Sequence, residues 1–212
     1  MYLPWLENET IDDKANGLLN RLGRDDEIPI DIEMIIEDDL NIEIIPVTNM
    51  QQDLDIEGFT LANWSSIYID EHVYTNCENR ARATLAHEVG HFELHKDILN
   101  QAASDHGVHD KYSWMDFYNS MKDNIRQRFE YQGYTFAGMI LVPTRYLTSL
   151  FLEVLPSTQD QISDAKAAKL RRKDYLDPVI ENIAIKLVPQ FEVSMSLLKR
   201  RIYNSGLEEL IK

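Results

Sequence analysis

The chain of 212 residues is poor in cysteine, in long apolar runs and in positive charge. Its single cysteine, Cys77, excludes an internal disulfide, and a reducing cytoplasm is the expected compartment. The cleanest apolar stretches, residues 44–47 and 139–143, fall far short of the roughly 20 residues that span a membrane. Residues 1–10 carry acids and no basic residue, so no secretory signal is expected. There is no internal repeat and no low-complexity tract. With 36 Asp and Glu against 21 Lys and Arg, the net charge is −15, which repels nucleic acid and anionic membrane faces. What is present, 44% hydrophobic and 27% charged residues, is enough to build the core of a globular protein.

The acid is unevenly spread. Residues 1–144 hold 27 acidic against 10 basic side chains, whereas residues 145–212 hold 9 against 11. Such a shift suggests two units, 1–144 and 145–212, with a joint near residues 143–156. Ile11, Ala15, Leu18, Leu19 and Leu22 recur at helical spacing over residues 11–22, and Gly23 reads as the stop. Asp31 is placed to cap a helix over 32–40. Residues 42–47 read as a buried strand. Residues 56–62 and 67–73 read as two more, and a reversal over 63–66 makes the sheet small and antiparallel. Helices are expected over 79–94, over 114–140 on both sides of Gly133, and over 163–173, 178–187 and 193–204. Helices and short strands segregate along the chain, which is an α+β pattern.

Chemistry concentrates in Leu85-Ala86-His87-Glu88-Val89-Gly90-His91, which contains His-Glu-x-x-His. Two histidines four apart share one helix face about 6 Å apart, so both imidazoles reach one metal ion. Glu88 projects beside that face, where a carboxylate can take a proton from water acidified by zinc. A catalytic site needs a third protein ligand. His95 continues the four-residue spacing but lies about 12 Å along the helix from His87, too far to share one ion. Glu130, on the second helix, is the better candidate, because Gly133 one turn later lets two helices approach closely. Asp116, Asp123, His106 and His109 remain weaker alternatives. His72, on a strand in this reading, and Cys77 are expected to be structural.

Residues 82–95, from Arg82-Ala83-Thr84-Leu85-Ala86-His87-Glu88 to Leu94-His95, closely resemble the signature helix of the ImmA/IrrE family of metallo-endopeptidases. A second element of that family, ExxANxFAxxLLMP, is similar to the stretch from Glu130 through Phe136-Ala137 to Leu141-Val142-Pro143. Gly133-Tyr134 stand where the pattern has Ala-Asn, and residues 96–128 are longer than expected between the two elements. Residues 28–44, Gly58 and 67–70 upstream, and 191–202 downstream, match in the right order. The resemblance implies a zincin-like peptidase core, zinc held by His87, His91 and Glu130, and Glu88 as general base. It further implies a bacterial or phage source and cleavage of a helix-turn-helix repressor or antitoxin, often encoded next door.

Two other readings compete with an endopeptidase. Lys199, Arg200 and Arg201 on a C-terminal helix pair suggest a DNA-binding regulator, a reading that the overall acidity disfavours. A zinc-containing protein that sequesters its partner without cutting it would keep the same ligands. For a peptidase, an extended substrate could add as a strand along residues 67–73. The second electrophile would come from Tyr112, Tyr118, Tyr131, Tyr134 or His95.

Overall fold

The computed structural model of the chain describes residues 2–60, 64–107 and 110–212, with the side chains at 102, 103, 106 and 111 left aside. The fold is α+β, as the segregation of elements implies. Helix α1 (Asn8–Leu22) buries Ile11, Ala15, Leu18 and Leu19 on one stripe. Gly23 ends it in the left-handed region at φ 68°, where its N–H meets the Asn20 carbonyl and the Arg24 N–H reaches back to Leu19. Asp31 caps α2 (Ile32–Met34) by accepting from the Met34 N–H, and the helix widens into a π turn over Ile35–Asp39.

Three strands follow: β1 (Glu43–Val47), β2 (Gly58–Thr60) and β3 (Ser66–Asp70), in the spatial order β1-β3-β2. The sheet is mixed rather than antiparallel throughout. Only the β2–β3 pair runs antiparallel, with Phe59 opposite Tyr68, while β1 runs parallel to β3, with Ile44 opposite Ile67. The cause is the connection: after β1 the chain crosses through α3 (Met50–Leu54) and β2 before returning beside β1 in the same direction. β1 is therefore an edge strand with only Ile44 buried, whereas β3 sits in the middle with Ile67 and Ile69 buried. β3 also stops earlier than its apolar pattern suggests. The Asp70 carboxylate accepts from the His72 and Val73 N–H groups, turning the chain into α4 (Glu71–Asn76). His72 thus lies on a helix, not a strand. Residues 61–63, part of the expected strand and reversal, lie outside the described residues.

Helix α5 (Glu78–His106) is 29 residues long and, at 1.5 Å per residue, extends about 43 Å. Helix α7 (Asp123–Leu141) crosses it, and two glycines face each other at the crossing. A Cβ on Gly90 would lie 3.1 Å from both the Gly133 carbonyl oxygen and Phe136 Cβ, so only glycine permits this approach without displacement. The long segment between the two motifs is not loop. It continues α5 and then forms α6 (Lys111–Ser120), whose Trp114 and Phe117 join Phe59, Leu99 and Phe129 in a second apolar cluster beneath the sheet edge.

Residues 143–156, where the charge shift suggests a joint, contain helix α8 (Thr144–Val154) with Leu147 and Phe151 fully buried. Helices α9 (Gln159–Ala167), α10 (Arg172–Phe191) and α11 (Met195–Asn204) complete the chain, and one apolar core includes residues from Ile11 to Ile211. The break between α9 and α10 falls at Lys169, in the left-handed region at φ 59°, rather than after residue 173. Arg201 is buried and donates to the Val142 carbonyl and the Thr144 hydroxyl, tying α11 to the end of α7. Among the described residues no single helix is long and apolar enough to cross a membrane.

Candidate metal centre

Helix α5 presents His87, Glu88 and His91, and α7 presents Glu130 across the glycine crossing. His87 Nε2 lies 2.9 Å from His91 Nε2 and 3.3 Å from Glu130 Oε2. One ligand atom from each of the three lies within 4.8 Å of the others. His87 and His91 are 7% and 3% exposed, and Glu130 is half-buried. Gly133 makes this convergence sterically feasible, since a Cβ there would sit 2.8 Å from His87 Cε1 and 2.9 Å from His91 Cε1. Gly133→Val is therefore expected to displace the two rings. Overpacking of this kind costs about 1–3 kcal/mol, which would weaken metal binding by roughly 5- to 150-fold if it falls on the ligand rings. Circular dichroism of a still-helical variant beside a zinc titration checks this, and unchanged affinity would refute it.

Tyr134, the other departure from the family pattern, lays its ring over His87 at a centroid distance of 4.3 Å. Burial lowers His87, but Glu130 and Glu88 outweigh it and hold its pKa above the ordinary imidazole value. His91 has no carboxylate among its perturbers. Burial, then His87 and His95, push it well down. Two imidazole nitrogens and a carboxylate oxygen facing one point make a donor set that suits a divalent ion. His87 Nδ1 is buried and has no hydrogen-bond partner among the described residues, so the polar contacts of this ring are made on its Nε2 side. The residues fit a metal.

Glu88 is 4% exposed, and its Oε2 accepts a 2.7 Å hydrogen bond from the Thr60 hydroxyl on β2. Burial pushes its pKa up to about 7, against the downward pull of His87 and Thr60. A cation at the neighbouring nitrogens would draw it back down. β2 comes this close because Gly58 has no side chain: a Cβ there would lie 2.7 Å from Thr84 Cγ2. Above the site opens a cleft of about 360 Å³, lined by Glu57, Arg80, Trp114, Tyr118 and Tyr134 together with the four site residues. Arg80 pairs with Glu57 on its rim. Burial and Glu130 raise both the Tyr118 and the Tyr134 phenol, keeping each protonated at neutral pH.

The structure sorts the remaining candidates. His95 is not at the point of convergence. It lies behind His91, with Nδ1 2.8 Å from His91 Nδ1 and Nε2 2.8 Å from Gln132 Oε1, and burial lowers its pKa to about 4. Asp116 is exposed on α6, and Asp123 is paired with Arg126 at 2.7 Å. The side chain of His106, and His109, lie outside the described residues. Tyr112 and Tyr131 do not line the cleft. Tyr131 stacks on Trp5 and donates to Asn8. The expected substrate edge also moves, because β3 is paired on both sides and the open edge beside the cleft is β2. Thr60 and Gln132 went unread in the sequence. Gln132 was detectable in principle, as a polar residue on the buried stripe of Phe129 and Phe136.

A helix-borne His-Glu-x-x-His, closed by a carboxylate from a crossing helix and opening into a strand-edged cleft, places the chain in the class of metallopeptidases. Residues 38–203 match the family model described as the IrrE N-terminal-like domain (Peptidase_M78), and the chain belongs to that family of metallopeptidases. Comparison with curated proteins finds no match.

Proposed function

We propose that the chain is a zinc-dependent endopeptidase that cleaves a regulatory protein, a helix-turn-helix repressor or antitoxin encoded beside it, in a bacterial cytoplasm. The observation that carries this reading is the convergence of His87, His91 and Glu130 at the floor of a cleft, with Glu88 alongside. In this reading those three residues would hold the metal through two nitrogens and one oxygen. A divalent ion bound there supplies Lewis acidity, polarising a carbonyl and making water more acidic.

The other steps belong to the chain. Glu88, oriented by the Thr60 hydroxyl, accepts the proton of the attacking water and passes it to the leaving amine. Tyr134 and Tyr118 each bring a phenol proton to the same cleft, where it can stabilise the oxyanion developing on the attacked carbonyl. The backbone of β2 offers an extended peptide a strand to pair with. Two of the three basic side chains that suggested DNA binding are engaged elsewhere: Lys199 pairs with Asp177 at 2.8 Å, and Arg201 is buried.

The test is incubation of the purified protein with the repressor encoded next to it, with chelator, without chelator, and with zinc restored. Cleavage that chelator abolishes and zinc restores is the expected result. A repressor left intact under all three conditions would overturn the choice of substrate.

A further inference from the structure

We propose that Gln132 and His95 are positioning residues that fix the tautomer of His91, so that its Nε2 is held as a bare electron-pair donor. The proposal rests on the reading of His91 as a metal ligand. It comes from a chain of hydrogen bonds in which each link dictates the next.

The chain starts at the backbone of Pro4. The Gln132 side chain is fully buried, and its amide nitrogen lies 2.9 Å from the Pro4 carbonyl oxygen. A carbonyl oxygen only accepts, so the NH₂ end of Gln132 must face Pro4 and Oε1 must face His95. Oε1 also only accepts, and it lies 2.8 Å from His95 Nε2, so the proton of His95 must sit on Nε2. His95 is 1% exposed and makes no ion pair among the described residues, which favours the neutral ring with one proton. Its Nδ1 is then an acceptor. His91 Nδ1, 2.8 Å away, must be the donor. The remaining nitrogen of His91, Nε2, is left with its electron pair directed at His87 Nε2, 2.9 Å distant.

The planes of the rings are fixed as well. Phe129 stacks on His91 at 3.8 Å and 10°, and on His95 at 4.5 Å and 27°. The far end is anchored by the Arg128 side chain, which donates to the Leu3 carbonyl, and by Trp5 stacked on Tyr131 at 5.2 Å. A histidine that donates its second N–H is a more basic ligand, and loss of such a partner typically costs 10–100-fold in metal affinity. Gln132 stands two residues from Glu130, so α7 carries both a ligand and the residue that orders another ligand from behind.

Two measurements test this. The first is a two-bond ¹H–¹⁵N correlation spectrum of histidine-labelled, metal-free wild type. The expected result is His91 with its proton on Nδ1 and His95 with its proton on Nε2. His91 carrying its proton on Nε2 would overturn the proposal, and this measurement needs no variant to fold. The second is Zn²⁺ affinity by chelator competition. Gln132→Met keeps the volume but removes the acceptor, and should bind zinc about 10–100-fold more weakly. In the same spectrum of Gln132→Met the proton of His91 should no longer be fixed on Nδ1. Wild-type affinity in Gln132→Met, or weaker binding with the wild-type tautomer retained, would reduce Gln132 to a packing role. A wild type that takes up no zinc would instead refute the metal reading itself, and would show before any variant is made.

Discussion

Glu88→Gln is expected to take up zinc as wild type does, yet to cleave its protein substrate at least about a hundredfold more slowly. The substitution preserves side-chain size and leaves His87, His91 and Glu130 untouched, so the three ligand atoms keep their positions. The remaining amide oxygen can still accept from the Thr60 hydroxyl, which now bonds the carboxylate at 2.7 Å. What is lost is the proton acceptor. General-base catalysis contributes about 10²–10⁴-fold, and among the described residues the other carboxylates lining the cleft are placed differently: Glu57 is paired with Arg80, Glu130 faces His87, and Asp55 is exposed to solvent. A time course of cleavage beside a pull-down of the intact partner makes the measurement. Wild-type cleavage would remove Glu88 from the role of base. A Glu88→Gln variant that relieves repression as well as wild type would favour the sequestering protein over the peptidase.

Glu130→Ala should lose metal affinity by more than the roughly hundredfold ceiling for an outer-shell partner, because it leaves only two protein donors. His95→Ala should sit between this and wild type. Its ring touches His91 but not the point of convergence, so it weakens the site without dismantling it. Chelator competition on the three proteins gives the ranking directly. Equal loss in Glu130→Ala and His95→Ala would mean that the third ligand has been misplaced.

The helix that carries His87, Glu88 and His91 was legible because its chemistry is local. His87 and His91 are four apart on one helix, and spacing alone puts them on one face. Glu130 was legible only through the glycine one turn later and the family pattern, since nothing local ties residue 130 to residue 87. The crossing itself needs both Gly90 and Gly133, and the sequence shows two glycines without showing that they meet. The mixed sheet was not legible for a related reason. Short apolar runs at residues 42–47 and 67–73 say nothing about direction, and the parallel pairing follows from the path through α3 and β2. The apolar run of β3 flows straight into α4, and Asp70 marks the boundary only because its side chain turns to cap the helix. Thr60 and Gln132 are ordinary polar residues in the sequence. Periodicity marks Gln132 as a polar residue on a buried stripe, but the partners of both come from contacts spanning 28 and 37 residues.

The central claim is that one divalent ion is held between α5 and α7 by His87, His91 and Glu130. The direct measurement is equilibrium dialysis of chelator-stripped wild type against zinc, with the metal content read by elemental analysis. Wild type should take up one zinc per chain, while His87→Ala and His91→Ala should take up none. A folded wild type that remains free of metal, or histidine variants that load as fully as wild type, would contradict the account.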